Sequence, residues 1–334
     1  MRAEETMLLV RDILSRGRYE REIDEVRTMK DDERAESPTP ADPELHVPFE
    51  LVEPAEFGSP LVFSSPHSGD IYPASFLASS RLDISSLRRS EDAHVHDLFA
   101  LAPTHGAPLL KAHFPRAFLD LNREPYELDP RMFEDALPDF ANTRSLRVAA
   151  GLGTIPRVVA DAREIYSGRL RVADALHRID SLHKPYHAAL RALMERARRR
   201  FGVALLVDCH SMPSNVAKES FSGREKRKPD FVLGDRFGAS CSADVVDAIE
   251  TRLRQWGYHV QRNRPYAGGY ITEHYGKPGA GWHAVQIEIS RNLYMNEADL
   301  RRSVDFDLLA SRLGEIVRLL TQLVGPREQR AAAE

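Results

Sequence analysis

Cysteine is nearly absent from the chain: Cys209 and Cys241 are the only two among 334 residues. That excludes a disulfide framework and an all-thiolate zinc site. No apolar run approaches the roughly 18 residues that a membrane helix needs, and the first residues lack the apolar centre of a secretory signal. Nor is there an excess of positive charge. Forty-six basic residues face 50 acidic ones, a formal charge of −4, so no global basic field points to nucleic acid. The expectation is a cytoplasmic chain with neither a nucleic-acid nor a membrane partner, and no oligomeric partner is legible. Several nucleotide and hydrolase signatures are missing too. The chain has no Gly-Lys-Ser/Thr phosphate loop and no Gly-x-Ser-x-Gly elbow, and Gly234-Asp235-Arg236-Phe237-Gly238 lacks the third glycine of a dinucleotide fingerprint. His183 and His187 are four apart, but no glutamate follows the first and Pro185 lies between them. They are assigned a structural role rather than the zinc-protease motif.

What remains is an ordinary globular composition, 42% hydrophobic and 29% charged. The first 46 residues hold eight basic and thirteen acidic side chains, and read as a loose helix (6–26) followed by an acidic, proline-bearing tether. A single domain is expected over 47–324, then a flexible tail over 325–334. Within the domain, short apolar runs predict strands at 61–64, 108–111, 117–121, 155–159, 203–207 and 284–289. Helical patterns fill 168–200, divided at Pro185 and stopped by Gly202, then 244–256, and 297–320 as one or two helices. Strands alternating with helices predict an α/β domain, a mixed and largely buried sheet covered by helices on both sides.

The polar residues that break this pattern sit where expected strands end. Four segments run from apolar residues straight into chemistry: Ser65-Pro66-His67-Ser68-Gly69, Asp120-Leu121-Asn122-Arg123, Asp208-Cys209-His210-Ser211-Met212 and Glu288-Ile289-Ser290-Arg291. In open α/β sheets ligands bind at the carboxyl ends of strands. His67 and His210, joined by one acid, match the two-histidine, one-carboxylate set of catalytic zinc sites. The acid is expected from Ser90-Glu91-Asp92-Ala93-His94-Val95-His96-Asp97, where helical spacing puts Asp92 and His96 on one face. Glu288, alone on an apolar strand, suits a general base and acid. Arg123 and Arg264 offer rigid forks for a carboxylate, with Asn122 beside the first. Asp208 is placed to orient a ligand, while Cys209 points to the opposite face and packs behind the site.

Taken together, these segments resemble the N-formylglutamate amidohydrolase family. The resemblance rests on Pro66-His67-Ser68-Gly69 with Tyr72-Pro73, Asp120-Leu121-Asn122-Arg123-Glu124-Pro125, Asp208-Cys209-His210-Ser211-Met212 and Gly234-Asp235-Arg236-Phe237-Gly238. The 263–274 segment and Glu288-Ile289-Ser290-Arg291-Asn292-Leu293-Tyr294-Met295 complete it. It implies a three-layer fold like that of zinc carboxypeptidases and aspartoacylase-like enzymes. It also implies hydrolysis of N-formyl-L-glutamate to formate and L-glutamate, a late step in histidine degradation. By the same resemblance one divalent ion, Zn2+ first among the candidates, would be held by His67, His210 and an acid. Asp92 aligns best for that acid, with Glu91 its neighbouring rival. Glu288 would be the catalytic carboxylate, and Arg123 would receive a carboxylate of a small acidic N-acyl amino acid. Two alternatives stay open: an amidohydrolase for another small N-acyl amino acid, and a non-catalytic binding protein on the same fold.

Overall fold

The computed structural model describes residues 42–159, 162–215 and 228–325. The expected N-terminal helix, most of the tether and the tail after residue 325 lie outside the described residues. The strands are β1 (Phe49–Val52), β2 (Leu61–Ser65), β3 (Leu109–Ala112), β4 (Val158–Val159), β5 (Arg163–Glu164), β6 (Ala204–Met212), β7 (Phe231–Gly234), β8 (Val260–Arg262) and β9 (Trp282–Ser290). Strands β4 and β5 pair as a separate ribbon; the other seven form one sheet in the order β1-β3-β2-β6-β9-β7-β8. Strands β3, β2, β6 and β9 run parallel, while β1 and the β7–β8 pair run the other way. The sheet is therefore mixed, and its centre is parallel.

Burial on both faces explains the unbroken apolar run of β6, every residue of which is buried. Helices α1 (Val172–Arg178), α2 (Lys184–Phe201), α3 (Ala243–Gln255), α4 (Tyr270–Tyr275) and α5 (Phe306–Val324) supply much of the cover. On one face Val62, Leu110, Leu206 and Ala284 meet Leu190, Leu193 and Met194 of α2. On the other, Leu61, Leu205, Val207, Val285 and Ile287 meet Val246 and Ile249 of α3 and Leu313 and Ile316 of α5. Each fully buried aliphatic side chain of this kind contributes about 1.5–3 kcal/mol. The three-layer expectation holds.

Some local expectations do not hold. Residues 117–121 form no strand but a turn, with the Phe118 amide bonded to Pro115 O and the Asp120 amide to Thr154 O. The apolar run there is buried by tertiary packing rather than by a ladder, which a short run cannot reveal. Only Val158–Val159 of the strand expected at 155–159 pairs. The long helical pattern is not broken at Pro185. It passes through a π-turn at Ile179–His183, in which the Lys184 amide reaches back to Ile179 O, and Pro185 then sits in the first turn of α2. The wider turn there gives the helix room to pass a residue that lacks an N–H, so proline is accommodated without a break. The closing element is one helix, α5, and residues 297–305 are not helical. Among the described residues no helix is long and apolar enough to cross a membrane.

Candidate active site

The parallel strands β2, β6 and β9 end on the same edge of the sheet, where the three predicted segments that follow them meet the fourth, 120–123, which comes from a turn. Residues paired across parallel strands share a face, so the register His210↔Glu288 and Asp208↔Gln286 puts all four side chains on one side. Cys209 and Ile287 point the other way, into the second core. His67 comes from the loop after β2, where Gly69 lets the chain pass the 113–114 backbone. A Cβ at Gly69 would overlap the His113 carbonyl and the Phe114 oxygen.

Asp92 completes the cluster, although not from a helix. It lies outside any helix, its amide bonded to His67 O at 3.0 Å. His96 belongs instead to the short helix Val95–Leu98, and His94 has a left-handed backbone and contacts Leu300 O, so neither joins the site. Glu91 is also separated from it: its carboxylate accepts from Tyr72 and Arg88. The acid that meets the two histidines is Asp92. One ligand-type atom each from His67, Asp92 and His210, all buried, fall within 4.8 Å of one another.

The proton positions follow from the partners. His67 Nε2 lies 2.7 Å from Asp120 Oδ1, and His210 Nε2 lies 3.0 Å from Asp208 Oδ2. A carboxylate only accepts, so both Nε2 atoms carry a proton. That leaves Nδ1 of His67 3.5 Å and Nδ1 of His210 3.0 Å from the same atom, Asp92 Oδ2. Two imidazole lone pairs facing one carboxylate oxygen repel one another unless a positive charge lies among them. A second proton on His210 supplies part of it: burial works against that charge, but Asp208 and Asp92 hold the imidazole well above its ordinary range. His67 Nδ1 is still buried with no hydrogen-bond partner among the described residues. The donor set, the orphaned nitrogen and the carboxylate behind each histidine all fit a divalent ion. Ser211 Oγ at 3.1 Å and Arg291 Nη2 at 3.3 Å donate to the other oxygen of Asp92 and fix its orientation.

Electrostatics sort the acids into different jobs. Burial works to raise the Asp92 carboxyl, but His210 and His67 outweigh it and hold it well below the usual range. Burial is likewise overridden at Asp120, by Arg116, Arg123 and His67. Glu288 goes the other way. Burial lifts its carboxyl to about 7; His210 and Arg116 pull against the rise, and Asp92 and Asp208 add to it. Its hydrogen-bond donor in the site is Gln286 Nε2, at 2.7 Å. Aspartates held ionised beside one carboxyl raised toward neutrality form the pattern seen in acid–base sites.

The arginines are distributed differently from the sequence expectation. Arg123 is turned into the wall, donating from Nε to Leu152 O at 2.8 Å and from Nη1 to Asn122 O at 2.7 Å, with Nη2 3.5 Å from Asp120. Arg264 is exposed. Sequence reasoning missed Arg116, which donates from Nη2 to Asp120 Oδ2 at 2.7 Å and feels both Asp92 and Glu288. It also missed Asp120 as the partner of His67. The signal for Asp120 was its place beside Asn122-Arg123 in a buried run; nothing local marked Arg116. Asn122 lies inside the site: Nδ2 donates to Asp208 Oδ2 at 3.2 Å and is 3.0 Å from His210 Nε2, while Oδ1 accepts from the Ile271 amide at 2.8 Å. Tyr266 adjoins the cluster, its phenol pushed up to about 12 by burial and by Glu288.

Comparison with known proteins identifies the family to which the chain is similar. Residues 59–295 match the family described as N-formylglutamate amidohydrolase. The chain is 31% identical over 268 residues to the N-formylglutamate deformylase of Pseudomonas aeruginosa, covering 76% of this chain and 92% of that one. It is 29% identical over 243 residues to the Pseudomonas putida deformylase, 72% and 83% of the two chains. The crystal structure of N-formylglutamate amidohydrolase from Ralstonia eutropha superposes with a TM-score of 0.78 at 38% identity, covering 83% of this chain and 98% of that one.

Proposed function

Because the chain belongs to the N-formylglutamate amidohydrolase family, we propose that it hydrolyses the amide of N-formyl-L-glutamate with the help of a divalent ion, Zn2+ first among the candidates. The observation that carries this reading is the buried His67–Asp92–His210 cluster, each histidine backed by its own carboxylate, on the same sheet face as Glu288. A bound ion would supply Lewis-acid polarisation of the formyl carbonyl and acidify the attacking water. His67, Asp92 and His210 are the residues that would hold it.

The chain's own groups do the rest. Glu288 takes a proton from the water as its oxygen joins the formyl carbon, and returns that proton to nitrogen as the C–N bond breaks. The products are formate and the free amine of glutamate. A carboxyl that burial raises above its ordinary range can both accept and release a proton near neutral pH. Around the cluster, Asp92, Asp120 and Asp208 face Arg116, Arg123 and Arg291, so a divalent ion leaves the pocket net positive. That suits a substrate carrying two carboxylates. Arg116 and Arg123, which share Asp120, receive one of them with the donors not already engaged, and Arg264 is offered to the other.

The test uses the protein stripped of metal and then reloaded with Zn2+. N-formyl-L-glutamate should be turned over only after reloading, and faster than N-acetyl-L-glutamate, longer N-acyl glutamates or neutral N-formyl amino acids. Full activity in the stripped protein would sink the metal reading. A preference for a longer acyl group would move the chain to the amidohydrolases of other N-acyl amino acids. Stoichiometric metal with no turnover of any of these would mark a binding protein.

A further inference from the structure

The segment that carries Asn122 and Arg123 has no strand partners, so its buried carbonyls depend on side-chain donors. Two histidines provide them. His183 Nε2 donates to Arg123 O at 3.0 Å, and His187 Nε2 donates to Leu121 O at 2.9 Å. The carbonyls on either side of Asn122 are thus each held by one imidazole. The rings stack on each other, centroids 4.3 Å apart. The π-turn at Ile179–His183 comes immediately before α2, and such turns recur at functional sites. Tyr275 fixes the second histidine, its hydroxyl 3.1 Å from His187 Nδ1 and 3.0 Å from His187 O. Burial depresses both imidazoles, His183 to about 4, so both stay neutral donors at any working pH.

We propose that His183 and His187 are positioning residues. They clamp the Leu121–Arg123 backbone so that Asn122 bridges Asp208 and the amino end of α4, and so that Arg123 is aimed beside Asp120. This rests on the reading of the site given above and extends it to a pair of residues that touch neither substrate nor ion. A purely space-filling pair would need the rings alone. A clamp needs the Nε2 donors.

The experiment compares His183→Phe, His183→Gln and Tyr275→Phe with the wild type. Phenylalanine keeps a stacking ring and removes the donor, whereas the glutamine amide reaches about the position of Nε2. Three quantities are read on each protein: melting temperature, Zn2+ affinity by competition with a chromogenic chelator, and kcat and KM for N-formyl-L-glutamate. For His183→Phe, kcat/KM should fall about tenfold, mostly through KM. Zn2+ binding should weaken severalfold, below the 10–100-fold range for residues that touch a ligand directly. His183→Gln should restore both to within about threefold.

A folded His183→Phe with both quantities within twofold of wild type overturns the proposal, as does failure of glutamine to restore them. If His183→Phe does not fold, Tyr275→Phe decides, since it releases His187 Nδ1 and leaves every ring in place. There a severalfold loss in kcat/KM at nearly unchanged melting temperature supports the clamp, and an unchanged value overturns it. A wild type that neither binds Zn2+ nor hydrolyses the substrate refutes the proposed function itself. Active wild type with indifferent variants refutes only the clamp.

Discussion

Replacing Glu288 by glutamine separates a proton carrier from a structural acid, because the two roles give opposite signs in stability. Glu288 is buried, and its carboxyl is raised from 4.5 to about 7, first by burial. That rise corresponds to on the order of 3 kcal/mol against the ionised form. Below about pH 4.5 the group is protonated in folded and unfolded chains alike, and there is no penalty. Between 4.5 and 7 the folded chain keeps a proton the unfolded chain has released, so stability falls as pH rises; above 7 the full penalty applies. Glutamine has no charge to desolvate and can still accept from Gln286. The metal-free Glu288→Gln protein should therefore melt about 5 °C higher than wild type at pH 8, and at the same temperature near pH 4. The Zn2+-loaded variant should bind substrate while kcat falls by about 10²–10⁴, the range for a positioned acid–base group, or roughly 3–5 kcal/mol of barrier. In the wild type kcat/KM should rise with pH to an inflection below 7, since a nearby cation favours the carboxylate, and the variant should lose that limb. Calorimetry, metal content and steady-state kinetics on one preparation settle the matter. A lower melting temperature with near-normal kcat would make Glu288 a structural ion-pair member and refute the mechanism.

Asp120→Asn keeps one oxygen for His67 Nε2–H but removes the negative charge behind that imidazole and sets an N–H against Arg116, so Zn2+ affinity measured against a chelator should weaken about 10–100-fold; unchanged affinity would leave Asp120 a mere partner of the arginines. Arg116→Lys keeps a charge but loses the fork, so KM for N-formyl-L-glutamate should rise about tenfold with metal content unchanged; an unchanged KM would return the carboxylate to Arg123 alone. Gly269→Ala would make a Cβ overlap Asn122 Oδ1 and lie 2.5 Å from its Nδ2. Because that carboxamide is tied to Asp208 and Ile271, kcat/KM should drop at least about tenfold through misplacement at the site, and a fully active variant would show that Asn122 can move without consequence.

Much of the site was legible in the sequence because packing alone gives a buried parallel strand no reason to end in charged residues. His67, His210, Asp208 and Glu288 all stand out in this way, and the structure gathers them on one edge. Asp92 and Glu91 could not be separated from the pattern, since both are acids in the same stretch and both are buried. Only the tertiary partners divide them, with Tyr72 and Arg88 claiming Glu91. Arg116 was invisible for another reason. It lies in a turn, and its contact with Asp120 depends on a backbone path that apolar spacing read as a strand. The order of the sheet was equally hidden, because β7 enters antiparallel beside β9 across long connections that leave no periodic mark.

The register between β6 and β9 ties the fold to the chemistry. Side chains alternate along a strand, so sliding β9 by one residue would oppose His210 to Ile287 or Ile289. It would also turn Glu288 into the second core, toward Val246 of α3 and Leu313 of α5, on a face lined by Val207 and Cys209. A buried carboxylate there would have no partner, and leaving such a group unpaired costs several kcal/mol. The acid therefore adds a penalty to a slipped register that the apolar residues Val285, Ile287 and Ile289, packed in the second core, already disfavour. The paired run from Ala204↔Trp282 to Met212↔Ser290 is the alignment that places His210 and Glu288 side by side at the site edge. Glu288→Leu removes the buried acid and leaves the apolar alternation of β9 untouched. That variant should keep the fold, with a melting temperature equal to or above that of wild type, while turnover is abolished. Loss of folding would show that the acid, rather than the apolar pattern around it, sets the register.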